Sequence, residues 1–282
     1  MKVSVVIINF NTKKLTEQCI ASVINTTKCD FEIIVVDNSS KPEEKYISDS
    51  PFVKVINAEN KGFGHACNIG MKNSSGDFYL MLNSDTIVHD GAIDKCAEYM
   101  SSHENIGALG CKTILADGTL DHNCKRGLPT PSASLYYLLK LDNKYPDSPK
   151  YARYHATYLD ENKINEVEVL SGSFMMLEKK VIDKIGGFDE DFFMYCEDVD
   201  LCYRISQAGF KIIYYPDASI THLKGQSGLN SKNRKVIFHF HKSMILFYKK
   251  HFLKKYNIFV TMAVYLGVYF KLVLSLIKSF FK

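Results

Sequence analysis

A chain of 282 residues with 46% hydrophobic and 12% aromatic side chains can bury a large core, which excludes a disordered or low-complexity protein. The formal charge of +4 conceals an asymmetry: beyond Asp217 there are twelve Lys and Arg and no carboxylate, so the first 217 residues carry a net −8. An acidic body with a basic end implies an anionic surface as partner, either membrane or nucleic acid.

The N-terminal stretch MKVSVVIINF has one Lys before a β-branched run and lacks the longer apolar segment and small-residue cleavage site of a signal peptide, so a cytoplasmic protein is expected. Residues 3–10 read as a strand, and in TKKLTEQCIASVIN the residues Leu15, Cys19, Ile20, Val23 and Ile24 recur at helical intervals. FEIIVVD (31–37) is a second buried strand. It ends on Asp37, a carboxylate that either accepts hydrogen bonds from a ribose or base at a strand end or closes an Asx turn. FVKVIN (52–57) is a third strand, after which NKGFGHACNIG opens a helix through Gly62 and Gly64. Cys67 stands where G-x-G-x-x-G needs its last glycine, and that fingerprint belongs after the first strand, which argues against a dehydrogenase. DFYLMLN (77–83) is the next strand, followed directly by Ser84 and Asp85.

Strands alternating with helices predict a parallel, doubly wound sheet, and a carboxylate just beyond a buried strand lies where such sheets keep their ligand chemistry. Asp85 therefore suits a divalent cation, Mg²⁺ or Mn²⁺, whose remaining ligands come from phosphate oxygens; a helix cap is the plain alternative. Beyond residue 110 the pattern loosens. Asp117-Gly118 has hairpin chemistry, and residues 128–149 read as a long loop with a short helix that shapes a cleft.

The strongest local signal is GGFDEDFFMYCEDVDLCYRISQAGF, residues 186–210. Carboxylates at 189, 190, 191, 197, 198 and 200 surround Phe192, Phe193 and Tyr195, and a helix is expected from near Asp198. A helix dipole accounts for some of these acids, yet one of them in a partly apolar cleft can act as a general base. FKIIYYP (210–216) reads as a strand, and His222 follows it as either a structural imidazole or a second ligand of the Asp85 cation.

From Tyr256 the chain is strongly apolar, but Lys271 interrupts it short of the roughly 20 residues needed to span a bilayer. Lys271, Lys278 and Lys282 share one helical face, so an amphipathic helix lying on an anionic membrane surface is expected. The alternative is packing on the body or on a second subunit, as in a homodimer. The eight cysteines contain no C-x-x-C pair and read as free thiols of a reducing compartment.

VSVVIINFN, VVDNSS, NKGFGHACNIG, LNSDT, the run SGSFMMLEKKVIDKIGGFDEDFFMYCEDVDLCYR and HLKGQS occur in this order over some four fifths of the chain. Together they resemble the family 2 inverting glycosyltransferases. The resemblance implies an α/β GT-A fold, a mostly parallel Rossmann-like sheet flanked by helices, over residues 1–228. Its nucleotide-sugar half would be about 1–110 and its acceptor half about 111–228, with 229–282 as a helical, membrane-associated extension. On the donor side it implies Asn9, Asp37, Asn60, Gly62, Asn68 and Ser84, with Asp37 on a pyrimidine base. Asp85 matches the last Asp of the family's D-x-D metal motif, whose first position is Asn83 here, and His222 matches a further contact to the Mg²⁺ or Mn²⁺. Asp198 resembles the catalytic base and Glu197 contacts the acceptor or replaces it as base; Asp191, Tyr195 and Arg204 are acceptor-side candidates.

Within the family, KTILADGTLDHNCKRGLPTP looks like the corresponding stretch of bacterial rhamnosyltransferases that use dTDP-L-rhamnose in building cell-surface polysaccharides. The expected partners are a nucleoside-diphosphate sugar and a saccharide acceptor carried on a polyprenyl diphosphate at the inner face of the cell membrane. A UDP-sugar donor and a non-catalytic module binding anionic surfaces are the rival readings. A nucleotidylyltransferase would need a glycine-rich loop after the first strand, where NFNTKKL has none. A nucleic-acid partner is not expected, because the apolar run of residues 258–270 suits lipid better than a phosphate backbone.

Overall fold

The computed structural model describes residues 1–223 and 233–280; the end of the HLKGQS motif (224–227), the boundary expected at 228/229 and Lys282 lie outside the described residues. The first half alternates β1 (Lys2–Asn9), α1 (Lys13–Thr26), β2 (Asp30–Asp37), β3 (Val53–Asn57), α2 (Phe63–Lys72) and β4 (Phe78–Asn83). Then follow β5 (Thr86–Val88), α3 (Ala92–Ser102), β6 (Ile106–Leu115), α4 (Pro131–Leu138), α5 (Leu141–Lys144), β7 (Asn165–Glu166) and β8 (Phe174–Glu178). The chain continues through α6 (Lys179–Ile185), α7 (Glu197–Gln207), β9 (Lys211–His222) and α8 (Arg234–Phe247), and through a π-helical turn (Tyr248–Phe252) into α9 (Ile258–Phe280).

The strand order is β3-β2-β1-β4-β8-β6-β9-β5, with β7 on the side of β9. β1 to β4 pair in parallel, as the alternation predicts. From there the sheet is mixed: β8 enters antiparallel between β4 and β6, β6 and β9 are parallel, and β5 and β7 run against β9.

The unbroken apolar runs of β1 and β2 follow from burial on both faces. On one face Val3, Val5 and Ile7 pack with Cys19, Ile20 and Val23 of α1 and with Ile93 and Cys96 of α3. On the other, Val6 and Met81 pack with Cys67 and Met71 of α2 and with Leu201 and Ile205 of α7. Each such side chain contributes roughly 1.5–3 kcal/mol. All eight cysteines are free.

The strand expected to stop at Pro216 continues to His222. Its register against β6 shifts between Cys111, opposite Tyr215, and Lys112, opposite Ser219. Proline cannot donate to a ladder and is tolerated at such an irregularity. The extension brings His222 opposite Thr86, one residue from Asp85.

The C-terminal hairpin departs from expectation. Phe247, Tyr248 and Phe252 are buried in the second core, and Arg234 of α8 stacks over Phe280 of α9, so the two helices run antiparallel. α9 spans 23 residues with a mean hydropathy of 1.9 in its most apolar window, enough in length and composition to cross a membrane. Lys271 does not end it. Of the described lysines of the expected face, Lys278 is exposed whereas Lys271 lines the cleft, and Phe259, Met262, Leu266 and Phe270 are all more than half exposed. Part of the basic charge of this region is used within the chain, with Lys250 bound to Asp189 and Asp191 and His251 to Asp200.

Candidate active site

A cavity of about 960 Å³ opens beyond the carboxyl ends of β1, β2 and β4, bounded on one side by β-strand ends and on the other by α8 and α9. Asn60, Gly62, Ser84, Asp85, Tyr195, Glu197 and Asp198 all line it. These were named from widely separated motifs, and the fold brings them to one place.

Asp85 is 2% exposed because the chain turns sharply between β4 and β5. Its backbone oxygen accepts from Leu223 N at 2.8 Å, and its Oδ1 lies 3.2 Å from His222 Nε2. The other ring nitrogen of His222 lies 3.4 Å from Asp121 Oδ2. Burial alone would lower this imidazole, but its hydrogen bonds to Asp121 and Asp85, with their charges, outweigh burial and raise it to about 9. Among the described residues no three His, Cys, Asp or Glu side chains form a ready metal cluster. Asp85, a lone carboxylate beyond a strand end, fits a cation that draws most of its ligands from a diphosphate, and His222 joins it as a second donor once the cation displaces the proton that Asp85 and Asp121 hold on the ring.

Across the cleft, Tyr195 and Cys196 both adopt left-handed backbone angles, φ 66° and 63°, immediately before α7. Consecutive non-glycine residues in this region are costly and are held only where surrounding contacts impose them. The loop is held from both ends. Asn68 Nδ2 donates to Phe188 O at 2.9 Å and to Glu190 Oε1 at 2.8 Å, and His65 Nδ1 lies 2.7 Å from Glu190 Oε2. Phe63 N donates to Phe193 O at 2.9 Å. Gly62, at φ 115°, is required there, since a Cβ would approach that same oxygen to 2.5 Å. From α8, Ser243 Oγ donates to Met194 O at 2.8 Å.

The result is two adjacent carboxyl groups in unlike surroundings. Asp198 Oδ2 accepts from Arg126 at 2.6 Å and its Oδ1 from Val199 N at 2.8 Å. Glu197 is 8% exposed, and its Oε2 has no hydrogen-bond partner among the described residues. Burial, and next to it the Asp198 charge, push the Glu197 carboxyl up to about 8. A carboxyl raised in the folded state is stabilising only while protonated: between the ordinary value of 4.5 and about 8 the unfolded chain ionises first, and stability is lost as pH rises. Glu197→Gln is therefore expected to flatten the fall in thermal midpoint between pH 5 and pH 8. Identical pH slopes for variant and wild type would show that the group is not raised.

Other expected site residues lie outside the cleft lining. Asp37 Oδ2 accepts from Asn9 Nδ2 at 2.8 Å and from Tyr46 N at 2.5 Å, and Oδ1 from Ser39 N at 2.9 Å, so Asn9 and Asp37 brace a strand-end loop. Asn68 braces the 188–193 loop rather than facing the cleft. Asp191 binds Lys250. Arg204, two turns along α7 from Glu197, is spent on Asp200 at 2.7 Å and on the carbonyls of Ile185 and Gly187. Asp191 and Arg204, expected on the acceptor side, are held in ion pairs and do not line this cleft. The sequence reading missed Asn38, whose buried Oδ1 is unpartnered among the described residues, as well as Asp121 and Arg126. The last two lie in KTILADGTLDHNCKRGLPTP, a stretch singled out without a role for either.

Among solved structures, the chain superposes on GalNAc-T7 with UDP, GalNAc and Mn²⁺ with a TM-score of 0.62 and 17% identity, over 86% of this chain and 47% of that one. It superposes on the mannosyltransferase PcManGT from Pyrobaculum calidifontis with a TM-score of 0.58 and 14% identity, over 98% and 72%. The fold is thus that of the GT-A glycosyltransferases. The glycosyl transferase family 2 description matches residues 4–186 and that of glycosyl transferase family group 2 matches residues 151–234; the chain belongs to glycosyl transferase family 2. It is 28% identical over 257 residues to an N-acetylglucosaminyl-diphospho-decaprenol L-rhamnosyltransferase of Mycobacterium tuberculosis, covering 86% of this chain and 82% of that protein. It is also 28% identical over 218 residues to the rhamnosyltransferase WbbL of Escherichia coli K12, covering 74% and 77%.

Proposed function

We propose that the protein is an inverting glycosyltransferase that moves L-rhamnose from dTDP-L-rhamnose to a hydroxyl of a saccharide carried on a polyprenyl diphosphate, in cell-surface polysaccharide synthesis. The observation that carries this reading is one cleft lined by Asp85, with His222 against it at 3.2 Å, and by the Glu197-Asp198 pair, in a family 2 chain similar to two rhamnosyltransferases. The enzyme sits on the cytoplasmic face of the membrane through α9, and residues before about 110 serve the donor.

Asn60, Gly62 and Ser84 lie along the donor, and Asn38 and Asp37 close its base end. A divalent cation, Mg²⁺ or Mn²⁺, would be held by Asp85 and His222; when bound it spreads the charge that develops on the departing diphosphate. Asp198, fixed by Arg126 and Val199 N, takes the proton of the acceptor hydroxyl as that oxygen attacks the anomeric carbon from the face opposite the leaving group. Glu197, protonated at neutral pH, orients the acceptor beside Tyr195. Unlike surroundings that separate two neighbouring carboxyl groups are how sites assign such roles.

The test is calorimetric titration of the protein with dTDP, UDP and GDP, each with and without Mn²⁺, followed by transfer from the matching nucleotide sugar. Metal-dependent preference for dTDP supports rhamnose. A preference for UDP keeps the transferase and replaces the donor, whereas no nucleotide binding with or without metal overturns the reading.

A further inference from the structure

The wall that α9 presents to the cleft consists of Val260, Ala263, Val264, Gly267, Val268 and Lys271. Their spacing places them in one stripe of the helix. Five of the six carry no polar side-chain atom, an unexpected lining for a site that must recognise sugar hydroxyls. Facing them, Leu135 and Leu138 of α4 line the same cavity while remaining 51% and 62% exposed. Gly267 deepens the groove, since a Cβ there would meet nothing within 4 Å.

The stripe ends in a cation. Lys271 has no ion-pair partner among the described residues, whereas Arg126, the other basic side chain described in the lining, is held by Asp198. Its charge adds to burial in holding His241 below the usual imidazole range, and Phe240, beside His241, meets Tyr195 edge-on at 5.3 Å. Lys271 thus stands on the Tyr195 side of an apolar groove, within the cavity that also holds Glu197 and Asp198. The opposite face of α9 is apolar and open, so one helix carries lipid-compatible surface on both sides.

We propose that the groove between α4 and α9 holds the first isoprenyl units of the acceptor lipid, and that Lys271 pairs with its diphosphate. This rests on the acceptor being lipid-linked, as proposed above, and adds the place where the lipid is read. Charge complementarity selects the occupant: a strip of hydrocarbon followed by one unpaired cation matches a prenyl chain followed by a diphosphate.

The experiment uses the full chain in phosphatidylcholine nanodiscs and a benzophenone-bearing farnesyl diphosphate as photoprobe, with labelled peptides read by mass spectrometry. Label is expected within 131–138 and 258–271, displaced by farnesyl diphosphate and not by inorganic diphosphate alone. Gly267→Leu, which fills the groove at an open position, should cut the displaceable label by about tenfold, with nucleotide binding as the control for folding. Lys271→Gln should weaken competition by farnesyl diphosphate and leave that by farnesol unchanged. Displaceable label confined to the outward face of α9, or undiminished in Gly267→Leu, would overturn the groove. If nucleotide binding persists while the groove stays unlabelled, this proposal alone fails; if the nucleotide does not bind either, the transferase reading fails with it.

Discussion

Asp198→Asn is expected to lower turnover by about 10³-fold, within the range by which a positioned base contributes, while nucleotide affinity stays within about twofold because the base acts on the acceptor. Asn is nearly isosteric and can still accept from Val199 N, so the loop that presents it keeps its path. What is lost is the ability to take a proton, together with the charge opposite Arg126. The guanidinium is then left buried without its partner, which costs stability, so the thermal midpoint must be measured beside the rate. A stable variant that retains transfer within about tenfold of wild type would take the base role from Asp198, and Glu197, with its raised carboxyl, would be next to test.

Asp85→Ala should weaken Mn²⁺-dependent nucleotide binding on the order of 100-fold while leaving metal-independent binding nearly unchanged. The sparseness of the donor set is the reason. Where a cation has several carboxylates, deletion of one is partly absorbed by the rest; here the described residues offer the pair Asp85 and His222. Asn83, which replaces the first carboxylate of the family's motif, is a weaker donor, and its backbone oxygen is already occupied by Thr86 Oγ1 at 2.6 Å. Calorimetry with and without the metal separates the two contributions, and an equal metal increment in wild type and variant would remove Asp85 from that role.

The first half of the fold was legible because its strands are buried on both faces and its helices on one, which leaves period-specific patterns in Val, Ile and Leu. β8 was quoted only as part of a motif, since FMMLE (174–178) has no alternation and its antiparallel insertion between β4 and β6 is a fact of topology. The end of β9 was misjudged because proline was read as a stop where the sheet contains an irregularity. Asp85, Glu197 and Asp198, which line one cavity, could be singled out as candidates because acids at the edge of apolar runs stand out. Arg126 could not: a Lys-Arg pair in an irregular segment looks solvated, and only the fold buries both, Lys125 on the carbonyls of Ala156 and Leu159 and Arg126 on Asp198. Arg204 shows the converse: two turns of helix carry it along α7 from Glu197, out of the cleft lining and onto Asp200.

The insertion of β8 also sets an order of events. β4 is complete at Asn83, but the edge it presents opposite β1 is covered only by Phe174–Glu178. During synthesis, some ninety residues must emerge before that edge can close, and until then a flat apolar strand is open to pairing with another chain. The two parts of the chain before and after residue 110 thus share one sheet, joined where β8 pairs with β4. A fragment ending near residue 110 is expected to aggregate more readily than the full chain, because it leaves the β4 edge that β8 covers unpaired.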